Sequence, residues 1–364
     1  MTATKSPLTR FTFPIVAGIV YAIALRLIFH GTYWGRKEID PASSPLYPTD
    51  LWVLTIGFLV FVPFAIGWIC VAASETNEPR GWGTWITLPW LPILVSNVFM
   101  ALLSLEGLIC IIFAIPITLF FGSFGGIAAG LWSRHLRRTG QRSISLCLAV
   151  LPILIAAVEM GSKSPMQIRT VQTSILIHAP ALTVWHNVER VPAIQPSELQ
   201  TTWVQRIGFP RPIEATLDHE GIGGVRHASF AGGLLFIETV TDWEPNERLA
   251  FTIKANTDQI PPTTLDQHVT IGGRYFDVLR GEYRVEALAD GDILLHLSSQ
   301  ERLSTDLNPY VGLWSDAVMR NIQKNILQVV KHRCEAQTLA DGIPAPPSAT
   351  LTLSLIHIST AAPW

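Results

Sequence analysis

The sequence predicts an all-α transmembrane region followed by an α+β domain, in which an antiparallel sheet is crossed by a long C-terminal helix. Three observations carry that reading. Before about residue 160 the apolar runs are long: Leu51 to Ala73 has no charge, and Leu88 to Trp132 has only Glu106. After Val171 apolar residues recur at every second position between turn signals, the period of half-buried strands. From Asn308 to Glu335 they recur every three or four, the period of an amphipathic helix. The mean hydropathy of +0.34 averages over this division.

Five apolar stretches mark the first part: Phe13 to Phe29, Leu51 to Ala73, Ile86 to Leu105, Gly107 to Trp132 and Ile144 to Val158. A hydrocarbon core about 30 Å thick needs about 20 apolar residues of helix, so four or five spans are expected over residues 1–160. The third and fourth stretches abut at Glu106 and Gly107, where either a tight hairpin or one long tilted helix fits. Lys5 and Arg10 precede the first stretch, and Ala22-Ile23-Ala24 inside it has the small-residue spacing of a signal-peptidase site. The further spans behind it favour an uncleaved anchor. Arg134, Arg137, Arg138 and Arg142 lie between the fourth and fifth stretches, and positive loops stay cytoplasmic. One short span then separates that loop from the second domain, which is expected on the non-cytoplasmic side. If that span is re-entrant, the domain is cytoplasmic instead. Glu106 is either a surface cap beside Gly107 or an intramembrane functional acid.

At 364 residues the chain has room for two cores, and its formal net charge of −2 gives no basic field for nucleic acid. Cys70, Cys110 and Cys147 fall in apolar runs and Cys334 stands alone in the second half, so neither a disulfide framework nor zinc spacing is present. No Ser-His-Asp order, phosphate loop or dinucleotide glycine motif is convincing, and no cofactor is expected.

In the second half, a strand at Val171 to Ile177 is followed by helical pieces at Ala181 to Val188 and Ser197 to Arg206. Strands are then expected at Glu214 to His219, Gly224 to Phe230, Leu234 to Asp242, Arg248 to Ala255, Arg274 to Ala287 and Asp292 to Leu303. Gly232-Gly233, Asp290-Gly291 and Glu244-Pro245-Asn246-Glu247 supply reversals. In the final helix Val311, Leu313, Trp314, Val318, Ile322, Ile326, Val329 and Val330 form one oily face, which must lie across the concave side of the sheet.

The run Gly221-Ile222-Gly223-Gly224-Val225-Arg226, then Phe230, Gly232-Gly233, Glu238, Val240, Trp243-Glu244-Pro245 and Leu249-Ala250-Phe251 resembles the hairpins of bacterial polyketide cyclase-like proteins. With the element order, it makes residues 168–335 similar to the SRPBCC or START-like helix-grip superfamily. The resemblance implies a cavity between sheet and helix that takes a hydrophobic small molecule. That fold hosts carriers and enzymes alike. The apolar spans place the expected location in a membrane, the inner (plasma) membrane of a bacterium.

On the strand Tyr275, Asp277, Leu279, Gly281, Tyr283 and Val285, alternation makes one face apolar except for Asp277, and this face is the expected cavity wall. Gly281 leaves room for something to approach. Asp277 is the candidate acid or base if the domain is an enzyme; the competing reading is an ion pair with Arg274 or Arg280. Tyr310 and Trp314, four apart, share a helix face and either stack on a ligand or belong to the core. Arg226 and Glu238 lie on adjacent strands and are expected to pair. His219, His227, His268 and His296 lack metal spacing. Asp258 to Asp266 forms a loop able to lid the cavity.

Residues 336–364 are expected to be a disordered or artefactual tail, because periodicity ends there and Ser354 to Ser359 resembles a translated sequencing adapter. The sequence therefore points to membrane-tethered binding of a lipid, isoprenoid or polyketide-like molecule. Its partners would be membrane lipids and that ligand, through Tyr275, Asp277, Tyr283, Tyr310 and Trp314. The alternatives are a cyclase or hydrolase using Asp277, and a ligand-free protein-interaction module.

Overall fold

The computed structural model describes residues 7–31, 55–75, 80–103, 106–139, 146–159, 164–256, 271–273, 275–289 and 291–342. The expected lid at Asp258 to Asp266, Arg142, His268, Arg274 and the adapter-like tail lie outside them.

The first half is a helix bundle. Helix α1 (Pro7–Gly31) is followed by a π-turn (Gly57–Phe61) that runs into α2 (Val62–Ser74), then by α3 (Trp82–Thr87), α4 (Trp90–Leu102), α5 (Leu108–Thr139) and α6 (Leu146–Glu159). Among the described residues four segments are long and apolar enough to cross a membrane, Phe11–Ile28, Gly57–Ser74, Trp82–Leu102 and Leu108–Thr139, and α6 is a shorter apolar helix. The chain breaks between α4 and α5, which pack against each other, so the abutting stretches form a hairpin.

Helices α2 and α5 meet at backbone distance. A Cβ on Gly67 would fall 2.0 Å from the Gly122 carbonyl oxygen, and one on Gly125 would fall 2.0 Å from that of Phe64. Only a residue without a side chain permits this approach, which brings the two backbones into van der Waals contact. Carboxylates secure both ends of the bundle. Glu159 accepts the N–H groups of Ile56 (3.0 Å) and Gly57 (2.9 Å), satisfying donors that the start of a helix leaves open. At the other end buried Glu75 accepts from Arg80 N–H (2.8 Å), Trp85 Nε1 (2.7 Å) and Arg137 (2.6 Å). Glu106 is neither a free cap nor isolated: it pairs with Arg26 of α1 at 2.7 Å, both side chains being almost wholly buried.

The second half contains β1 (Gln167–Ile177), α7 (Ala181–Glu189), α8 (Trp203–Arg206), β2 (Pro212–Leu217), β3 (Val225–Phe230), β4 (Leu235–Glu244), β5 (Arg248–Asn256), β6 (Phe276–Ala287), β7 (Ile293–Leu303) and α9 (Asn308–Ala340). The seven strands form one antiparallel sheet in the order β1-β7-β6-β5-β4-β3-β2. Consecutive strands from β2 to β7 pair as hairpins, while β1 joins the far edge beside β7, so α7 and α8 carry the chain from one edge to the other. The sheet curls as a half-barrel with α9 against it, a helix-grip arrangement.

Two departures from the expected elements have local causes. Only Trp203–Arg206 is helical in the segment expected from Ser197 onward, because the helix start is set by a capping box in which Thr202 and Gln205 satisfy each other's backbone. Helix α9 runs to Ala340, five residues past the expected end, with Thr338 buried inside it. On that helix Leu313 turns outward and is 68% exposed, falling off the stripe of Val311, Trp314, Val318 and Ile322.

Helix α9 is fixed to the sheet by polar pins as well as apolar contact. Arg169 on β1 donates to both carboxylate oxygens of Asp316 (2.9 and 2.8 Å), the bidentate geometry that guanidinium favours. Buried Gln323 accepts from Thr173 (2.8 Å) and donates to the Val171 carbonyl and the Ser299 hydroxyl (both 2.9 Å). Beyond Gln323 the core closes: Leu327, Val330 and Cys334 pack with Ile177, Trp185, Leu249 and Leu295.

Candidate functional site

A cavity of about 340 Å³ runs from between the sheet and the N-terminal part of α9 into the helix bundle. That is within the range of small-molecule sites, about 300–1,000 Å³. Its sheet wall comes from side chains that point inward at alternate positions: Phe236 and Glu238 on β4, Phe251 and Ile253 on β5, Leu297, Ser299, Glu301 and Leu303 on β7. Val311, Trp314, Val318 and Ile322 of α9 face them.

Strand β6 does not keep one phase. Its pairing with β7 runs Phe276↔Leu303, Asp277↔Arg302 and Val278↔Glu301, then shifts so that Arg280 faces Gln300 and Gly281 faces Ser299. One extra residue at this bulge exchanges the two faces of the strand. Phe276 and Val278 therefore line the cavity before the bulge, and Gly281 and Tyr283 after it. Asp277 is not among the lining residues. Its register partner is Arg302, and burial raises its pKa above the ordinary carboxylate value while Arg302 works in the opposite direction. The expected wall, with Asp277 and Gly281 on one face, is thus corrected by the bulge. The space over Gly281 is taken from within, since a Cβ there would lie 2.5 Å from the Phe251 ring.

The other four candidates, Tyr275, Tyr283, Tyr310 and Trp314, all border the cavity. Tyr275 sits just ahead of β6, where its carbonyl accepts from Ser304 N–H (2.9 Å). Tyr310 and Trp314 stand at the end of α9 that meets the bundle. The Tyr310 hydroxyl donates to the Phe113 carbonyl of α5 (2.5 Å), and the Trp314 ring stacks on that of Phe113 with centroids 4.6 Å apart.

Two polar features at the wall give it chemistry. Arg226 and Glu238 are direct cross-strand partners on β3 and β4 and form a buried ion pair, with Glu238 at the cavity and Arg226 behind it. Burial works against the guanidinium charge, but Glu238 and the Tyr283 hydroxyl outweigh it and hold Arg226 above its ordinary pKa. Burial likewise pushes the Tyr283 phenol up.

Glu301 was not singled out in the sequence, yet it is fully buried at the cavity wall. Ser315 of α9 donates to its Oε1 (2.6 Å), while no hydrogen-bond donor among the described residues reaches its Oε2. Burial raises its pKa, with the Ser315 bond opposing. The signal was available: an acid in phase with Leu295, Leu297 and Ser299 on a strand must face the interior. His296 belongs to a different network, bridging Ser174 (2.7 Å) and Glu286 (2.9 Å). Among the described residues no group of His, Cys, Asp and Glu is arranged to hold a metal.

The cavity continues past the domain. Arg26 of α1, Ile66 of α2, Ile93 and Met100 of α4, and Glu106 and Ile117 at α5 also line it.

No protein-family model and no curated protein matches this chain. Solved structures do. A START superfamily protein from Mycobacterium smegmatis aligns at 11% identity over 46% of this chain and 99% of its own, with a TM-score of 0.32. An uncharacterised protein from Rhizobium leguminosarum aligns at 16% identity over 48% and 99%, with a TM-score of 0.29. Truncated norcoclaurine synthase from Thalictrum flavum aligns at 8% identity over 47% and 95%, with a TM-score of 0.29.

Proposed function

We propose that this chain is an integral membrane protein that binds a hydrophobic small molecule, a lipid, isoprenoid or polyketide-like compound, in the cavity between its sheet and α9. The observation that carries the reading is the cavity itself: about 340 Å³, shared between the domain and the bundle and walled mainly by Phe, Leu, Ile and Val side chains, in a protein whose other half offers, among the described residues, four apolar segments of membrane-crossing length. Burying apolar ligand surface at about 25 cal/mol per Å² supplies the affinity, and a few polar groups orient the ligand. Tethering beside the bilayer keeps the cavity where such a ligand concentrates.

The bundle's geometry supports the orientation. Phe113, at the domain, and Arg134, in the basic end of α5, are separated by about 32 Å of helix at about 1.5 Å per residue, close to the hydrocarbon thickness of about 30 Å. Arg134, Arg137 and Arg138 at the far end then lie on the cytoplasmic face and the domain on the other, in the inner membrane of a bacterial cell. Exposed Met166, Ile168 and Leu313, at the bundle end of the domain, suit contact with lipid. Residues 1–160 and 168–335 are read as the two functional units.

Asp277 stands off the cavity, which removes the geometric basis for the enzyme reading built on it. Native mass spectrometry of the detergent-purified protein tests the carrier. A co-purifying apolar molecule is expected, and release of the protein only at its bare polypeptide mass under gentle activation contradicts it.

A further inference from the structure

The bundle does more than hold the domain at the membrane. The cavity has two chemically different ends. Toward the helices its walls are mainly apolar, with Val62 and Ile66 of α2, Ile93 of α4 and Ile117 of α5; Asn97 also lines this end, and the hydroxyls of Ser96 and Thr118 are spent on carbonyls of their own helices. Toward the sheet it meets Glu238, Ser299, Glu301 and Gln323. Arg26 and Glu106 also line it, and pair with each other at 2.7 Å.

We infer that one binding site spans both halves of the protein and takes a single-chain amphiphile, a long-chain or polyisoprenoid alcohol, with its hydroxyl among the polar groups of the sheet and its chain between α2, α4 and α5. The inference deepens the carrier reading and rests on it.

Three features set the direction and the class. An alkyl tail gains free energy along the Ile and Val walls at about 0.8 kcal/mol per buried CH₂, whereas the sheet end would leave part of it against carboxylates. The sheet end is rich in acceptors: no donor among the described residues reaches Glu301 Oε2, and Gln323 spends its amide on Thr173, Val171 and Ser299. A ligand donor fits there, and an anionic head does not, since it would sit in a low-dielectric pocket beside Glu301 and Glu238 with Arg226 already engaged. A hydroxyl donates to Glu301 if the carboxyl is ionised and accepts from it if neutral, so it is satisfied in either state.

The test uses the full-length protein in phosphatidylcholine vesicles and two diazirine-bearing hexadecanol probes, one with the diazirine beside the hydroxyl and one at the chain terminus. After photolysis, labelled peptides are mapped by mass spectrometry. The expected result is head-end label on β7 and on α9 around Gln323, with tail-end label at Ile66, Ile93 or Ile117. The tail-end label at those positions should fall at least about fivefold in Ile117→Trp, while lipid-facing Phe120 stays labelled. A hexadecanoic acid probe at pH 8 should label β7 at least about tenfold less than the alcohol.

Both diazirines labelling only the domain would overturn the two-part site and leave the carrier reading standing. Reversed ends would overturn the assigned direction. Equal labelling by the acid would overturn the alcohol class. Absence of domain label with either probe would overturn this inference, and the carrier reading falls with it only if the native mass spectra also show the bare polypeptide.

Discussion

Removing the Glu238 carboxylate is the most informative single perturbation of the domain. Arg226 and Glu238 have side chains only 4% and 6% exposed, and the remaining protein acceptors near the guanidinium are the Tyr283 hydroxyl and the carbonyls of Glu189 at 3.3 Å and Val188 at 3.4 Å, none of which carries a negative charge. Both carbonyl bonds are long. Glu238→Leu therefore leaves a buried cation without its counter-charge, at a cost of about 3–5 kcal/mol. For a domain of this size each kcal/mol moves the midpoint by about 2–4 °C, so the thermal midpoint should drop by about 6–20 °C. Replacing both partners, Arg226→Met with Glu238→Leu, removes the stranded charge and should return the midpoint to within about 1 kcal/mol of the parent. The assay is thermal unfolding of the four proteins of this double-mutant cycle in one detergent, followed by near-ultraviolet circular dichroism. A single Glu238→Leu variant that melts within 2 °C of the parent would refute the reasoning. So would a double variant no better than the worse single one.

The helix bundle gives a matched pair of glycine tests: Gly125→Leu forces a side chain onto the Phe64 carbonyl and should cost at least about 1–3 kcal/mol, read as lost yield of monodisperse protein. Gly83→Ala meets nothing within 4 Å and should be neutral or slightly stabilising. Because burial raises the Glu301 pKa in the folded state, its contribution is fully present below the ordinary glutamate pKa and is lost as pH rises through the folded value. The midpoint of Glu301→Gln relative to the parent should therefore climb as pH is raised from 4 to 8, and a pH-independent difference would contradict the shift. A reporter enzyme active only outside the cytoplasm, fused after Ala340, should be active, and a fluorescent protein that folds only in the cytoplasm should stay dark there. The reverse pattern would place the domain on the cytoplasmic side.

Much of the fold was legible because burial is one-sided in both halves. Strands β2 to β7 repeat with period two since one face meets the cavity or core, and α9 repeats with the helical period because one stripe meets the sheet. The site was only partly legible. Alternation through Tyr275, Asp277, Leu279 and Gly281 reads as one face, but the bulge between Val278 and Arg280 breaks it, and no glycine or proline at Leu279 announces the extra residue. Glu301 is readable from its phase with Leu295 and Leu297 on β7. Arg26 is masked by the apolar stretch around it, although a lone cation in one span and a lone anion beside another are each other's natural partners. The joining of the cavity to the bundle had no local signal, because it depends on how α9 meets α5 through Tyr310, Trp314 and Phe113.

The presence of an apolar ligand between sheet and α9 is tested most directly by plugging its place. Ile322 lines the cavity from α9 and takes no part in the Arg226–Glu238 pair or the Gln323 hydrogen bonds, so Ile322→Trp fills space there without removing either. Native mass spectra of the two purified proteins should show an apolar adduct on the parent and its loss, at least about tenfold, in the plugged variant at an unchanged midpoint. An adduct carried equally by both proteins, or by neither, would contradict the account.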